Sequence, residues 1–96
     1  MATKTFKIGE YARGGIITAE VKGNQITIIG KDWDMSVGTQ RSSNQSNAKE
    51  FDRLTVDSKA SDAYRKLFMY LTDLTTAYYG NMIIDWVERK THINGN

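Results

Sequence analysis

With 96 residues, 40% of them hydrophobic and 25% charged, the chain has enough length for one modest core and too little for two. It contains no cysteine, which excludes disulfides, thiolate chemistry and cysteine-ligated metal sites, and suits a cytoplasmic location. A net charge of +2 argues against an acidic DNA mimic. No apolar run approaches the roughly 18 residues that a membrane span needs, and Met1–Lys7 lacks the apolar segment of a signal peptide.

Thr5–Tyr11 reads as a first strand, with Phe6 and Ile8 on one face and Lys7 on the other. Arg13-Gly14-Gly15 breaks it. Ile16–Val21 and Gln25–Asp32 then form a hairpin about Gly23-Asn24. Pairing Lys22 with Gln25 sets Val21 opposite Ile26, Ala19 opposite Ile28 and Ile17 opposite Gly30, all on one face. The other face carries Thr18, Glu20 and Thr27, but also Ile16, Ile29, Lys31, Trp33 and Met35. Two accounts of it compete. A bulge near Gly30 would shift the register and send Trp33 and Met35 into the core. Without one, the sheet exposes an apolar patch centred on Trp33, a feature that marks a partner or ligand site.

Residues 38–49 read as a flexible polar loop, because Gly38–Asn47 has no apolar residue and no periodicity. Phe51–Asp57 alternates as a fourth strand, with Leu54 and Val56 on one side and Arg53 and Thr55 on the other.

Ser58–Lys90 is helical. Tyr64, Leu67, Phe68, Leu71, Leu74 and Tyr78 recur at steps of three and four, and Ser58 or Ser61 can cap the start. Unbroken, such a helix of about 32 residues would run roughly 48 Å, so the spacing predicts a break near Gly80, with a second helix from Asn81 to Lys90. Met82, Ile83, Ile84, Trp86 and Val87 point nearly all round that second helix, more apolar surface than one sheet face covers. This surplus predicts a homodimer with Tyr79, Met82, Ile83, Trp86 and Val87 at its interface. The tail, residues 91–96, should fray. The architecture expected is a single α+β domain over residues 1–96, a four-stranded antiparallel sheet followed by one kinked helix or two helices in a two-layer sandwich.

Catalysis has little to stand on. The single histidine, His92, lies in a polar tail, and no nucleophile elbow, phosphate loop or HExxH motif is present. Asp32 and Asp34 flank Trp33 without a third acid, so they read as a solvated strand end rather than a metal site. The expectation is a non-enzymatic binding protein with no cofactor and no metal. Its candidate contact residues are Arg13, Lys31, Trp33, Arg41, Lys49 and Arg53, basic groups interleaved with an aromatic in the β-half.

Two resemblances give those residues a context. Four strands and then a helix, with Glu50-Phe51-Asp52-Arg53-Leu54-Thr55-Val56 leading into it, resemble the layout of the PC4, PUR and Whirly families over residues 16–75. That likeness implies a dimeric single-stranded DNA-binding protein. Thr5-Phe6-Lys7-Ile8-Gly9-Glu10-Tyr11 and Leu71-Thr72-Asp73-Leu74-Thr75-Thr76-Ala77-Tyr78-Tyr79 resemble small accessory proteins of bacteriophages, the pool that supplies anti-CRISPR and other anti-defence proteins. That likeness implies an inhibitor that blocks or sequesters a host protein or its ligand in the host cytoplasm.

Overall fold

The computed structural model describes residues 1–9, 15–33 and 48–94, with Trp33, Ala48, Ile93 and Asn94 described by their backbone alone. Four strands form an antiparallel meander, β1 (Ala2–Lys7), β2 (Ile16–Lys22), β3 (Gln25–Trp33) and β4 (Ala48–Asp57), in the order β1-β2-β3-β4. Two helices follow, α1 (Ala63–Leu74) and α2 (Ala77–Asn94), and both pack on one face of the sheet. The expected α+β architecture is the observed one.

The β2–β3 hairpin has the register that alternation requires, Lys22 opposite Gln25 and Ile17 opposite Gly30. Gly23 turns it with φ of 60°, while Asn24 keeps a negative φ. Glycine at the first central position is what a type II′ turn demands, because its twist matches that of the strands. Ile17, Ala19, Val21, Ile26 and Ile28 are fully buried beneath Leu67, Leu71, Ile83 and Val87. Each large apolar side chain so buried contributes about 1.5–3 kcal/mol relative to exposure.

β1 differs from expectation. It begins at Ala2 and ends at Lys7, pairing Ala2 with Val21 and Phe6 with Ile17. The apolar pattern alone misses its first half, because Lys4 occupies a helix-side position opposite Ala19 and lays its ammonium 5.2 Å from the Phe6 ring centroid. Such an inward-pointing charge is affordable only on an edge strand. The part of the expected strand beyond Gly9 lies outside the described residues.

A bulge does occur at Gly30, but its extra residue is on β4. Gly30 pairs with Asp52 and Lys31 with Glu50, so Phe51 has no opposite number. Strict alternation from Val56 through Leu54 would turn Phe51 outward; the bulge turns it in, over Gly30. A side-chain carbon on Gly30 would lie 3.0 Å from Phe51 Cζ and 3.2 Å from Leu74 Cδ1, so glycine makes room for the ring. Ala48 and Lys49, expected in the loop, belong to β4; the rest of that loop, with Asp34, Met35 and Arg41, lies outside the described residues.

The helical break is at Thr75-Thr76, not at Gly80. Thr75 donates from its amide and from Oγ1 to the Leu71 carbonyl, at 2.8 and 2.9 Å, which closes α1. Thr76 Oγ1 accepts from the Tyr79 amide at 3.4 Å and opens α2. Gly80 lies in the first turns of α2, buried against Leu71 and Phe68. At the other end, α1 starts after Asp62, which makes no side-chain cap bond, rather than at Ser58 or Ser61. The Ser58 amide instead donates to the Asn24 carbonyl and ties the chain to the hairpin turn.

Candidate functional site

The early break redirects α2. It turns back over β2, so Ile83 and Val87 are fully buried, and Trp86 is 7% exposed with its ring edge-on to Phe6 at 6.2 Å. Three residues assigned to an oligomer interface therefore belong to the chain's own core, and the apolar surplus that predicted it is largely spent at home. Met82, 39% exposed, and half-buried Tyr79 remain at the surface. Tyr78 joins them. Its place in the α1 stripe is lost at the break, which leaves it 71% exposed with its ring edge-on to Tyr79 at 5.1 Å. Tyr78 and Met82 are four residues apart on α2, and with Tyr79 they make an exposed aromatic and thioether patch.

The sheet face away from the helices is built in rows. Thr5, Thr18, Ile29 and Arg53 form one, and Lys7, Ile16, Lys31 and Glu50 the next. Hydroxyls pair along the sheet, Thr5 with Thr18 at 3.4 Å and Thr27 with Thr55 at 3.0 Å. Ile16 and Ile29, expected within an exposed apolar patch, are buried at 0% and 7%. Their neighbours in these rows are threonines and long basic side chains, whose aliphatic stems suit such positions.

Lys31 and Arg53 share this face, as expected of a contact surface, but Glu50 stands with them. Arg53 donates from Nε to Glu50 Oε2 at 2.8 Å and from Nη2 to Oε1 at 2.6 Å. In a regular strand residues three apart point to opposite faces; the extra residue at Phe51 lets these two meet. The Arg53 hydrogen bond and charge hold the Glu50 carboxyl below its ordinary range, and the same bond raises the guanidinium. Both side chains are open to solvent, so the pair fixes geometry more than it stabilises the fold. Lys49 falls on the other face, opposite Asp32. Of the six expected contact residues the structure thus unites Lys31 and Arg53 and separates Lys49. Arg13 and Arg41 lie outside the described residues, and for Trp33 the description stops at its backbone pairing with Ala48. The acid between the cations escaped the sequence reading, although a bulge on β4 instead of β3 would have revealed it.

At the far end of α2 a small cavity of about 250 Å³ lies between Asn24, Tyr64, Glu88, Thr91 and His92. Thr91 donates to the Glu88 carbonyl at 2.9 Å, so the Tyr64 hydroxyl, 3.0 Å away, is the donor to Thr91. These bonds join α1 to α2 and have a structural purpose. Among the described residues no cluster of three histidine or acidic side chains could hold a metal ion, and no helix is long and apolar enough to cross a membrane.

No protein-family model, curated protein or solved structure matches this chain.

Proposed function

We propose that the protein is a non-enzymatic binding protein that engages another protein through the Tyr78–Tyr79–Met82 patch, as a phage-type inhibitor blocking a host component would. The supporting observation is the 71% exposure of Tyr78 on a helix that otherwise supplies the core. Tyrosine and methionine are enriched in protein interfaces, tyrosine because it offers large contact area with few torsions to freeze and methionine because its flexible thioether adapts to the partner's surface. The competing reading, single-stranded nucleic acid held on the outer sheet face, has Lys31 and Arg53 in its favour and Glu50 against it. Glu50 takes up Nε and Nη2 of Arg53 and sets a carboxylate beside any phosphate that Arg53 could bind.

The test is retention of a bacterial target on the immobilised protein, with and without nuclease, compared with a Tyr78→Asp/Met82→Asp variant. Both residues are exposed, so the variant should melt like the parent. A target protein retained despite nuclease and lost in the variant supports the reading. Retention abolished by nuclease, with oligonucleotide affinity that falls steeply as salt rises, overturns it in favour of nucleic acid.

A further inference from the structure

The open edge of β4 is self-complementary in a way that the β1 edge is not. The Ser58 amide donates to the Asn24 carbonyl, which makes Gln25–Asp57, Thr27–Thr55 and Ile29–Arg53 the pairs that do not exchange hydrogen bonds. The backbone amides and carbonyls of Arg53, Thr55 and Asp57 therefore point away from β3. Among the described residues no strand lies on that side. We propose that a second copy of this chain pairs antiparallel with this edge about a two-fold axis at Thr55.

Charge selects that register. Pairs across the axis must have the same parity, or their bonding groups would not meet. Centred on Thr55, Arg53 faces the partner's Asp57 and Asp57 faces the partner's Arg53 on the outer side of the sheet. Leu54 faces the partner's Val56 on the helix side, and Thr55 meets its own copy. Opposite charges, apolar pairs and Thr–Thr pairs are each favourable across strands. Neighbouring registers fail. Centring on Arg53 or Asp57 sets like charges face to face, centring on Val56 sets Arg53 against Lys59, and centring on Leu54 sets Asp52 against Val56. Arg53 spends Nε and Nη2 on Glu50, and Nη1 is left to reach across. Asp57 accepts the Lys59 amide on Oδ1, with Oδ2 remaining.

A five-residue seam is small beside the roughly 1,200–2,000 Å² that a specific dimer buries. The rest is at hand. Between β4 and α1 runs an apolar groove of about 650 Å³, lined by Leu54, Phe68, Met69 and Tyr70, with Met69 66% exposed. The two-fold brings both copies of α1 beside the seam on one face of an eight-stranded sheet, so that each groove is closed by the other chain. The bulge at Phe51 ends the regular edge and limits pairing to these residues. The Tyr78–Tyr79–Met82 patch is not part of this seam.

Sedimentation and thermal melting of four variants test the arrangement. The parent should be a dimer at high micromolar concentration. Among the described residues no strand lies beside the Thr55 amide, so Thr55→Pro, which also gives up the exposed Thr27–Thr55 hydroxyl bond, should give a monomer with only a small loss of melting temperature. Arg53→Asp alone and Asp57→Arg alone each turn two opposite-charge pairs into like-charge pairs and should weaken dimerisation about tenfold. The swap Arg53→Asp/Asp57→Arg, made together with Glu50→Gln so that the new carboxylate meets no like charge in its own chain, restores the pairing and should restore the dimer, and it decides the matter even if Thr55→Pro fails to fold. A monomeric parent, or a swap no stronger than either single variant, overturns the proposal.

Discussion

Gly30 shows how one missing side chain arranges two surfaces. Without a Cβ it admits the Phe51 ring, and the bulge that delivers the ring also brings Glu50 onto the face of Arg53. Gly30→Val should therefore destabilise the fold by about 1–3 kcal/mol through overpacking, read as a lower denaturation midpoint. Combined with Phe51→Ala the cost should shrink, since the clash and the cavity offset one another; fully additive effects would show that the two residues do not share the site. A bulge at this glycine was one of the two accounts the sequence left open, and the structure has it with the extra residue on β4. Pairing is a property of two strands, and either may carry the extra residue.

Among the elements, α2 departs furthest from its sequence signal. Apolar residues all round its middle were expected to need another chain, yet the turn at Thr75-Thr76 folds Ile83, Trp86 and Val87 against β1 and β2. Two adjacent threonines, each bonding helix backbone through its hydroxyl, end one helix and begin another. Gly80 carries no break, and a Cβ there would make ordinary contacts at 3.5–3.6 Å with Leu71 and Phe68. Gly80→Ala should consequently stabilise the protein by roughly 0.5–1 kcal/mol, by lowering the entropy of the unfolded chain and filling the helix contact. A loss of stability in chemical denaturation would mean that Gly80 does serve as a hinge.

At the scale of the whole molecule, the sheet presents two edges of opposite character. β1 is guarded by Lys4, whose charge points to the helix side, where a pairing strand would have to bury it. β4 instead carries Arg53 and Asp57, opposite charges four residues apart on the outer side of the sheet, which the proposed pairing would match with those of a copy. Lys4→Ile should thus remove the guard and yield species larger than the parent in light scattering. Unchanged particle size in that variant would assign protection of the β1 edge to something other than Lys4.

Alternation at period two and a glycine turn determined the β2–β3 hairpin residue by residue, and periodicity of three and four determined α1 through Leu74. Those signals are local, so the sequence alone carries them. Where α2 begins, which strand bulges and which cations stand together depend on contacts between residues far apart in the chain. Arg53 reads as a free cation until the bulge at Phe51 seats Glu50 beside it, and Trp86 reads as surplus until the turn at Thr75-Thr76 lays it on Phe6. Tertiary packing settled these because each depends on which face of an element ends up covered, and side-chain spacing within that element does not encode its neighbour.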